Sequence, residues 1–170
     1  TYAFYVLYAN IDEFDPTKYT LRKEGLPVMD KWILSKMNTM IKSVDTNMSA
    51  YKIPEACSAL EEFVDELSNW YVRRSRERFW KKGMEQDKID AYMTLYTALY
   101  NTILCAAPFI PFMTDAIYQN IVRSVNPEAK ESIHLCDFPV YDASRVDEQL
   151  DKSLDEVLSI VILGRAARNA

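Results

Sequence analysis

Between Ser68 and Lys82 the chain reads SNWYVRRSRERFWKK, with six basic side chains and one acid among Trp70, Tyr71, Phe79 and Trp80. Arginine presents a planar fork of N–H donors that matches two phosphate oxygens at once, whereas lysine presents a point charge. Aromatic faces beside such groups can stack on unpaired bases, at about 1–3 kcal/mol per base in single-stranded recognition. The chemistry on offer is binding of a phosphate polyanion by Arg73, Arg74, Arg76, Arg78, Lys81 and Lys82, with Trp80 as a stacking face. The plainer reading is a solvated helix face. Glu55, Glu61, Glu62, Asp65 and Glu66 precede the bases, and that polarity suits the helix macrodipole at about 0.3–1 kcal/mol per charge.

Little else in the chain can do chemistry. His134 is the only histidine, which excludes His–His metal sites. Cys57, Cys105 and Cys136 are odd in number and never spaced as CxxC, so neither a disulfide framework nor a zinc site is expected, and a reducing, cytoplasmic setting is the default. His134 and Cys136, two apart on an extended stretch, point the same way, a weak thiol–base pattern with no orienting group. Only three glycines occur, too few for most phosphate-cradling loops. The net charge of −5 disfavours nucleic acid as a partner of the whole surface but not of a local patch. No apolar run approaches a membrane span of about 20 residues.

These side chains must be positioned by helices. With 170 residues the chain suffices for one domain. Residues 1–10 form a short apolar helix, and Asp15-Pro16 marks a turn. Asp30 reads as the N-cap of a helix carrying Ile33, Met37, Ile41, Val44 and Met48. Pro54 opens a second long helix, Gln86 or Asp87 a third that runs to Pro108, and Pro111 a fourth that ends before Asn126-Pro127. Residues 128–142 lose the helical period, and the stretch near 131–141 reads as an extended strap. Ser144 or Asp147 caps a last helix with Leu150, Leu154, Val157 and Val161. The expected fold is all-α, an antiparallel bundle of five to six helices.

At 100° per residue, Ala56, Leu60, Phe63, Leu67 and Trp70 share one face of the second long helix. Arg74, Arg78 and Lys81 continue the same line, with Arg73 and Arg76 on one flank and Lys82 on the other. Trp70 is therefore expected in the core, while Phe79 and Trp80 fall off the line and need other partners. Burying several unpaired guanidinium groups is prohibitive, so the helix outruns its neighbours or its arginines meet carboxylates.

The segment Asn69 to Trp80, NWYVRRSRERFW, closely resembles a signature of the isoleucyl-tRNA synthetase family, class I aminoacyl-tRNA synthetases. Further stretches match in family order: TYAFYVLYANID at 1–12, MDKWILSKMN at 29–38, APFIPFMTDAIYQN at 107–120, ESIHLCDFP at 131–139 and LGRAARNA at 163–170. Valyl- and leucyl-tRNA synthetases share the bundle and remain the alternatives, as does a non-enzymatic helical interaction bundle that docks on an acidic protein surface.

The resemblance implies an anticodon-binding domain cut from a longer chain, with 1–25 as the junction from a catalytic domain and 163–170 as the start of a C-terminal region. It implies tRNA and the same chain's catalytic domain as partners, a monomer, and no membrane. ATP and Mg²⁺ belong to the parent's catalytic domain, whose paired-histidine signature and KMSKS-type lysine loop are absent here, so this piece alone is expected to be inactive and to hold no cofactor or metal. It favours phosphate contacts by Arg73, Arg74, Arg76, Arg78, Lys81 and Lys82, with Lys31 and Lys36 as secondary candidates.

Overall fold

Apolar residues at helical spacing, broken by prolines and short polar turns, fold into six helical rods. The computed structural model describes residues 1–169, with side chains through Arg168; Ala170, the end of the expected 163–170 segment, lies outside the described residues. The rods are built from α1 (Tyr2–Ile11), α2 (Val28–Ser49), α3 (Ile53–Asp65), α4 (Arg73–Trp80), α5 (Gln86–Ala106), α6 (Pro111–Tyr118) and α7 (Glu148–Asn169). The α3 and α4 segments are one rod, joined through a π-helical stretch, Glu66–Val72, and α6 continues as a second π stretch, Gln119–Arg123. No strand occurs among the described residues, so the all-α bundle expected from the sequence is the fold.

Local signals set most ends. Pro54 and Pro111 sit in the first turns of α3 and α6, where a missing N–H costs nothing. Asp147 accepts the Leu150 amide at 2.9 Å and caps α7. Gly83, at φ 79°, lets the chain reverse from α4 into α5. Asp30 departs from its expected role: α2 begins at Val28, and Asp30 lies inside its first turn, wholly buried. The 131–141 strap contains a 3₁₀ turn, Ile133–Leu135. It is pinned where Asp115 accepts the Ser132 hydroxyl at 2.7 Å and the Ile133 amide at 2.9 Å. Those bonds hold the Asp115 carboxyl below the usual carboxylate range.

The hub is α5, which is buried on nearly every side and packs against α1, α2, α3, α4 and α6. Tyr92 on α5 gathers Phe79 at 4.8 Å, Phe14 at 4.5 Å and Tyr5 at 6.4 Å between ring centres, and Phe4 of α1 meets Phe79 at 5.2 Å. This aromatic knot supplies the partner that Phe79 lacked in the sequence projection. An apolar groove of about 630 Å³ runs between α3 and α6, floored by Leu60, Leu67, Leu99 and Ile103.

The π stretch changes the projection of the basic rod. Buried positions run Ala56, Leu60 and Phe63 before it, Leu67, Tyr71 and Val72 within it, and Ser75 and Phe79 after it. A π turn bonds i to i+5 and so inserts about one residue into the helical count. The buried line therefore passes through Tyr71 and Phe79 rather than Trp70 and Arg74. Trp70 is only half-buried, and Arg74 is exposed. This register is testable by urea unfolding: Phe79→Ala is expected to cost about 3–5 kcal/mol, while Arg74→Ala stays within about 0.5 kcal/mol.

Candidate nucleic-acid interface

The arginine run of α4 divides into an inward and an outward set. Arg78 turns in. Its two terminal nitrogens meet the two oxygens of Asp30 at 2.6 and 2.8 Å, a bidentate pair, and one of them also donates to the Asp87 carbonyl at 2.9 Å. Its Nε lies 2.9 Å from Asp87 Oδ1, a charge contact off the hydrogen-bond line. Tyr71 donates to Asp30 at 2.8 Å. Burial works against the Arg78 charge, but the hydrogen bonds and charge of Asp30 outweigh it and leave the Arg78 pKa raised. Burial and then the Asp30 charge raise Tyr71 well above its ordinary value, so its hydroxyl remains a neutral donor.

Further ion pairs brace the same end of the bundle. Lys81 lies 3.2 Å from Asp87. Lys88, buried on α5, pairs with Asp12 at 2.7 Å and donates to the Lys81 carbonyl at 2.8 Å. Arg22 pairs with Asp90, and Tyr92 donates to Asp12. These bonds tie the 12–25 loop to α5 and to the end of α4. Sequence reasoning missed both Asp30 and Lys88 as interior charges. An aspartate before a helical run reads as a cap, and a lysine in a helix reads as solvated; only the three-dimensional neighbours distinguish them.

The outward set is Arg73, Arg74, Arg76 and Lys82. All are exposed, and among the described residues none forms an ion pair. Trp80 is 56% exposed, and its indole N–H is anchored to the Tyr8 hydroxyl at 2.7 Å, which leaves a ring face open. The secondary candidates part company. Lys31 is exposed and lines a polar cleft of about 400 Å³ with Lys23 and Arg145. Lys36 is held 2.9 Å from both Glu66 and Asp155.

The structure gives the other chemical candidates separate partners. The His134 ring reaches the Pro111 carbonyl at 3.2 Å, while the Cys136 sulfur lies 3.7 Å from the Tyr118 hydroxyl. Burial pushes the Cys105 thiol up to about 12. Among the described residues no group of three or more His, Cys, Asp or Glu side chains is arranged to hold a metal.

Comparison with known proteins places this sequence among relatives. Residues 30–170 match the family model described as the anticodon-binding domain of tRNA ligase. The chain is 55% identical over 170 residues to an isoleucine–tRNA ligase of Clostridium novyi, covering 99% of this chain and 16% of the relative. It is 53% identical over 171 residues to that of Clostridium tetani, with the same coverage. It is 46% identical over 168 residues to that of Thermus thermophilus, covering 98% of this chain and 16% of the relative. The chain thus spans about one sixth of the length of the curated relatives it matches.

The inward pair yields a stability test. Asp30→Ala leaves a guanidinium and a phenol without their acceptor and is expected to destabilise the fold by about 3–5 kcal/mol. Replacing both partners, Asp30→Leu with Arg78→Met, is expected to recover most of that loss, because no buried charge is then left unpaired. Denaturant midpoints of the three variants decide it.

Proposed function

We infer that this chain, which belongs to the anticodon-binding domain family of tRNA ligases, grips the anticodon stem and loop of a tRNA through Arg73, Arg74, Arg76 and Lys82. One observation carries the reading: a single arginine run gives Arg78 to a buried carboxylate and leaves its neighbours in solvent without an ion-pair partner among the described residues. Unpaired guanidinium groups carried on a helix suit the charge and bidentate geometry of phosphate oxygens. Trp80 offers a stacking face beside them, and Lys31 adds a charge at the start of α2. Arg78, Lys81 and Lys36 act indirectly, by holding the frame through Asp30, Asp87, Glu66 and Asp155.

We further place the chain within an isoleucine–tRNA ligase that joins isoleucine to its tRNA with ATP, supported by the activity named for relatives at 46–55% identity. ATP and Mg²⁺ are then handled outside residues 1–170: a paired-histidine signature needs two histidines, and His134 stands alone. The chain by itself is accordingly assigned no aminoacylation. Residues 1–25 serve as the junction from the catalytic domain and 163–170 as the entry to a C-terminal region, in a monomeric parent. Free thiols at Cys57, Cys105 and Cys136 suit the reducing cytoplasm. No described helix is long and apolar enough to cross a membrane.

Salt dependence tests the reading. Each neutralised phosphate contributes about 0.7–0.9 to the slope of log affinity against log salt. Arg74→Ala with Arg76→Ala is expected to weaken binding of an isoleucine tRNA transcript to the 170-residue chain and to flatten that slope by about 1.4–1.8. An unchanged slope in the folded variant removes the outward set from the interface.

A further inference from the structure

The last helix follows the same pattern as α4. Leu150, Leu154 and Leu158 of α7 are half-buried against the core, and Val161 continues their line. At the same spacing the next residues on that line are Arg165 and Arg168, both exposed. Two contacts fix where this face lies. Lys36 bridges Asp155 of α7 and Glu66 at the start of the π stretch, at 2.9 Å to each. Ten residues further along α7, the Arg165 guanidinium sits over the Trp70 ring, 5.9 Å from its centre. The C-terminal part of α7 therefore follows the α3–α4 rod in the same sense, toward the outward arginines.

Trp70 lies three and four residues before Arg73 and Arg74, about 5–6 Å along the rod at 1.5 Å per residue. The Arg165 side chain thus lies within about one turn of Arg73 and Arg74 along the rod. A guanidinium laid over an aromatic ring uses its flat face for the contact and keeps its N–H donors at the edge. A contact of this kind restricts the side chain without consuming the donors that bind phosphate. Among the described residues neither Arg165 nor Arg168 forms an ion pair. Clustered like charges oppose one another, and a polyanion laid across them relieves that opposition.

We propose that Arg165 and Arg168 of α7 join Arg73 and Arg74 of α4 in one two-helix surface for an RNA phosphate backbone, and that Trp70 is the positioning residue that orients Arg165. This rests on the tRNA-binding reading above and extends it to a second helix. The π stretch is what makes the arrangement available. It takes Trp70 out of the buried line to the margin of the core, where Arg165 lies over its ring.

The test compares three sets of substitutions in the same chain, with an isoleucine tRNA transcript as probe and circular dichroism as the folding control. Arg165→Ala with Arg168→Ala is expected to flatten the salt slope by about 1.4–1.8, as for two phosphate contacts. Arg165→Lys keeps the charge but loses the planar fork, and is expected to weaken binding while preserving most of the slope. Trp70→Ala is expected to weaken binding in the wild-type background, with Trp70→Phe restoring it. In the Arg165→Ala background Trp70→Ala is expected to have no further effect, which separates positioning from a general packing role. If Arg74→Ala with Arg76→Ala flattens the slope and Arg165→Ala with Arg168→Ala does not, the two-helix surface is wrong and the α4 interface stands. If neither pair changes the slope, both readings fall. A fall in affinity at unchanged slope assigns Arg165 and Arg168 to helix packing and overturns the inference.

Discussion

The pair between Asp30 and Arg78 decides how the basic end of this bundle is built. Asp30 is wholly buried, and Arg78 keeps 14% of its side-chain surface. Taking both charges out of water is costly, and only close bidentate geometry with further hydrogen bonds offsets it. The structure supplies both. Asp30 receives Arg78 twice and Tyr71 once, and Arg78 also reaches the Asp87 carbonyl. A single carboxylate in the first turn of α2 thereby clamps the end of α4 against α2 and the start of α5. With Lys88 holding Asp12 and the Lys81 carbonyl, the 12–25 loop is locked to the same corner. The helix that carries the outward arginines is held in place because Arg78 of the same run is anchored inward.

This explains why six bases in ten residues coexist with a stable helix. If all six pointed outward, α4 would have no cohesion beyond Phe79 and Ser75, since the rest of its face is charged. If all turned inward, no set of carboxylates here could pair them. The division into Arg78 inside, Lys81 paired with Asp87 at the surface, and Arg73, Arg74, Arg76 and Lys82 outside resolves both problems. Phe79, at 1% exposure, adds the apolar anchor, wedged between Phe4 and Tyr92. Burying a Phe side chain contributes about 1.5–3 kcal/mol, comparable to what a buried ion pair costs when it is imperfect.

Much of this was legible in the sequence, and the exceptions have one physical source. Helical periodicity, proline placement and the last helix's cap gave the rods and their order, because these depend on neighbours within a turn or two. The buried face of the basic helix was misplaced because the projection assumed a constant 100° per residue. The π stretch from Glu66 to Val72 breaks that assumption, and nothing in its composition announces it. Trp70 consequently reads as core and lies half-buried at its edge with Arg165 over the ring, while Phe79 reads as an outlier and lies in the core. Asp30, Lys88 and Lys36 escaped for a related reason. Their partners lie at sequence distances such as the 48 residues between Asp30 and Arg78, where no local pattern reaches.

An acidic chain can still present a cationic face, and distance is the reason. The carboxylates that open α3, Glu55 through Glu62, lie roughly 17–29 Å along the rod from Arg73–Arg74 at 1.5 Å per residue. At physiological ionic strength the Debye length is about 8 Å, so these acids barely affect the potential at the arginines. The carboxylates that could do so are those within a turn or two. Glu66 is engaged by Lys36, Asp87 by Arg78 and Lys81, and Asp30 by Arg78 inside the core. Glu77, three residues from Arg74, and the exposed Asp65 have no ion-pair partner among the described residues. Asp65 lies about 12 Å along the rod from Arg73 and so beyond a Debye length, and Glu77 offsets at most one of the charges around it. The net charge of −5 therefore bears on how the whole molecule behaves in solution. The local field is set by internal pairs that occupy most of the nearby acids and leave the outer arginines uncompensated.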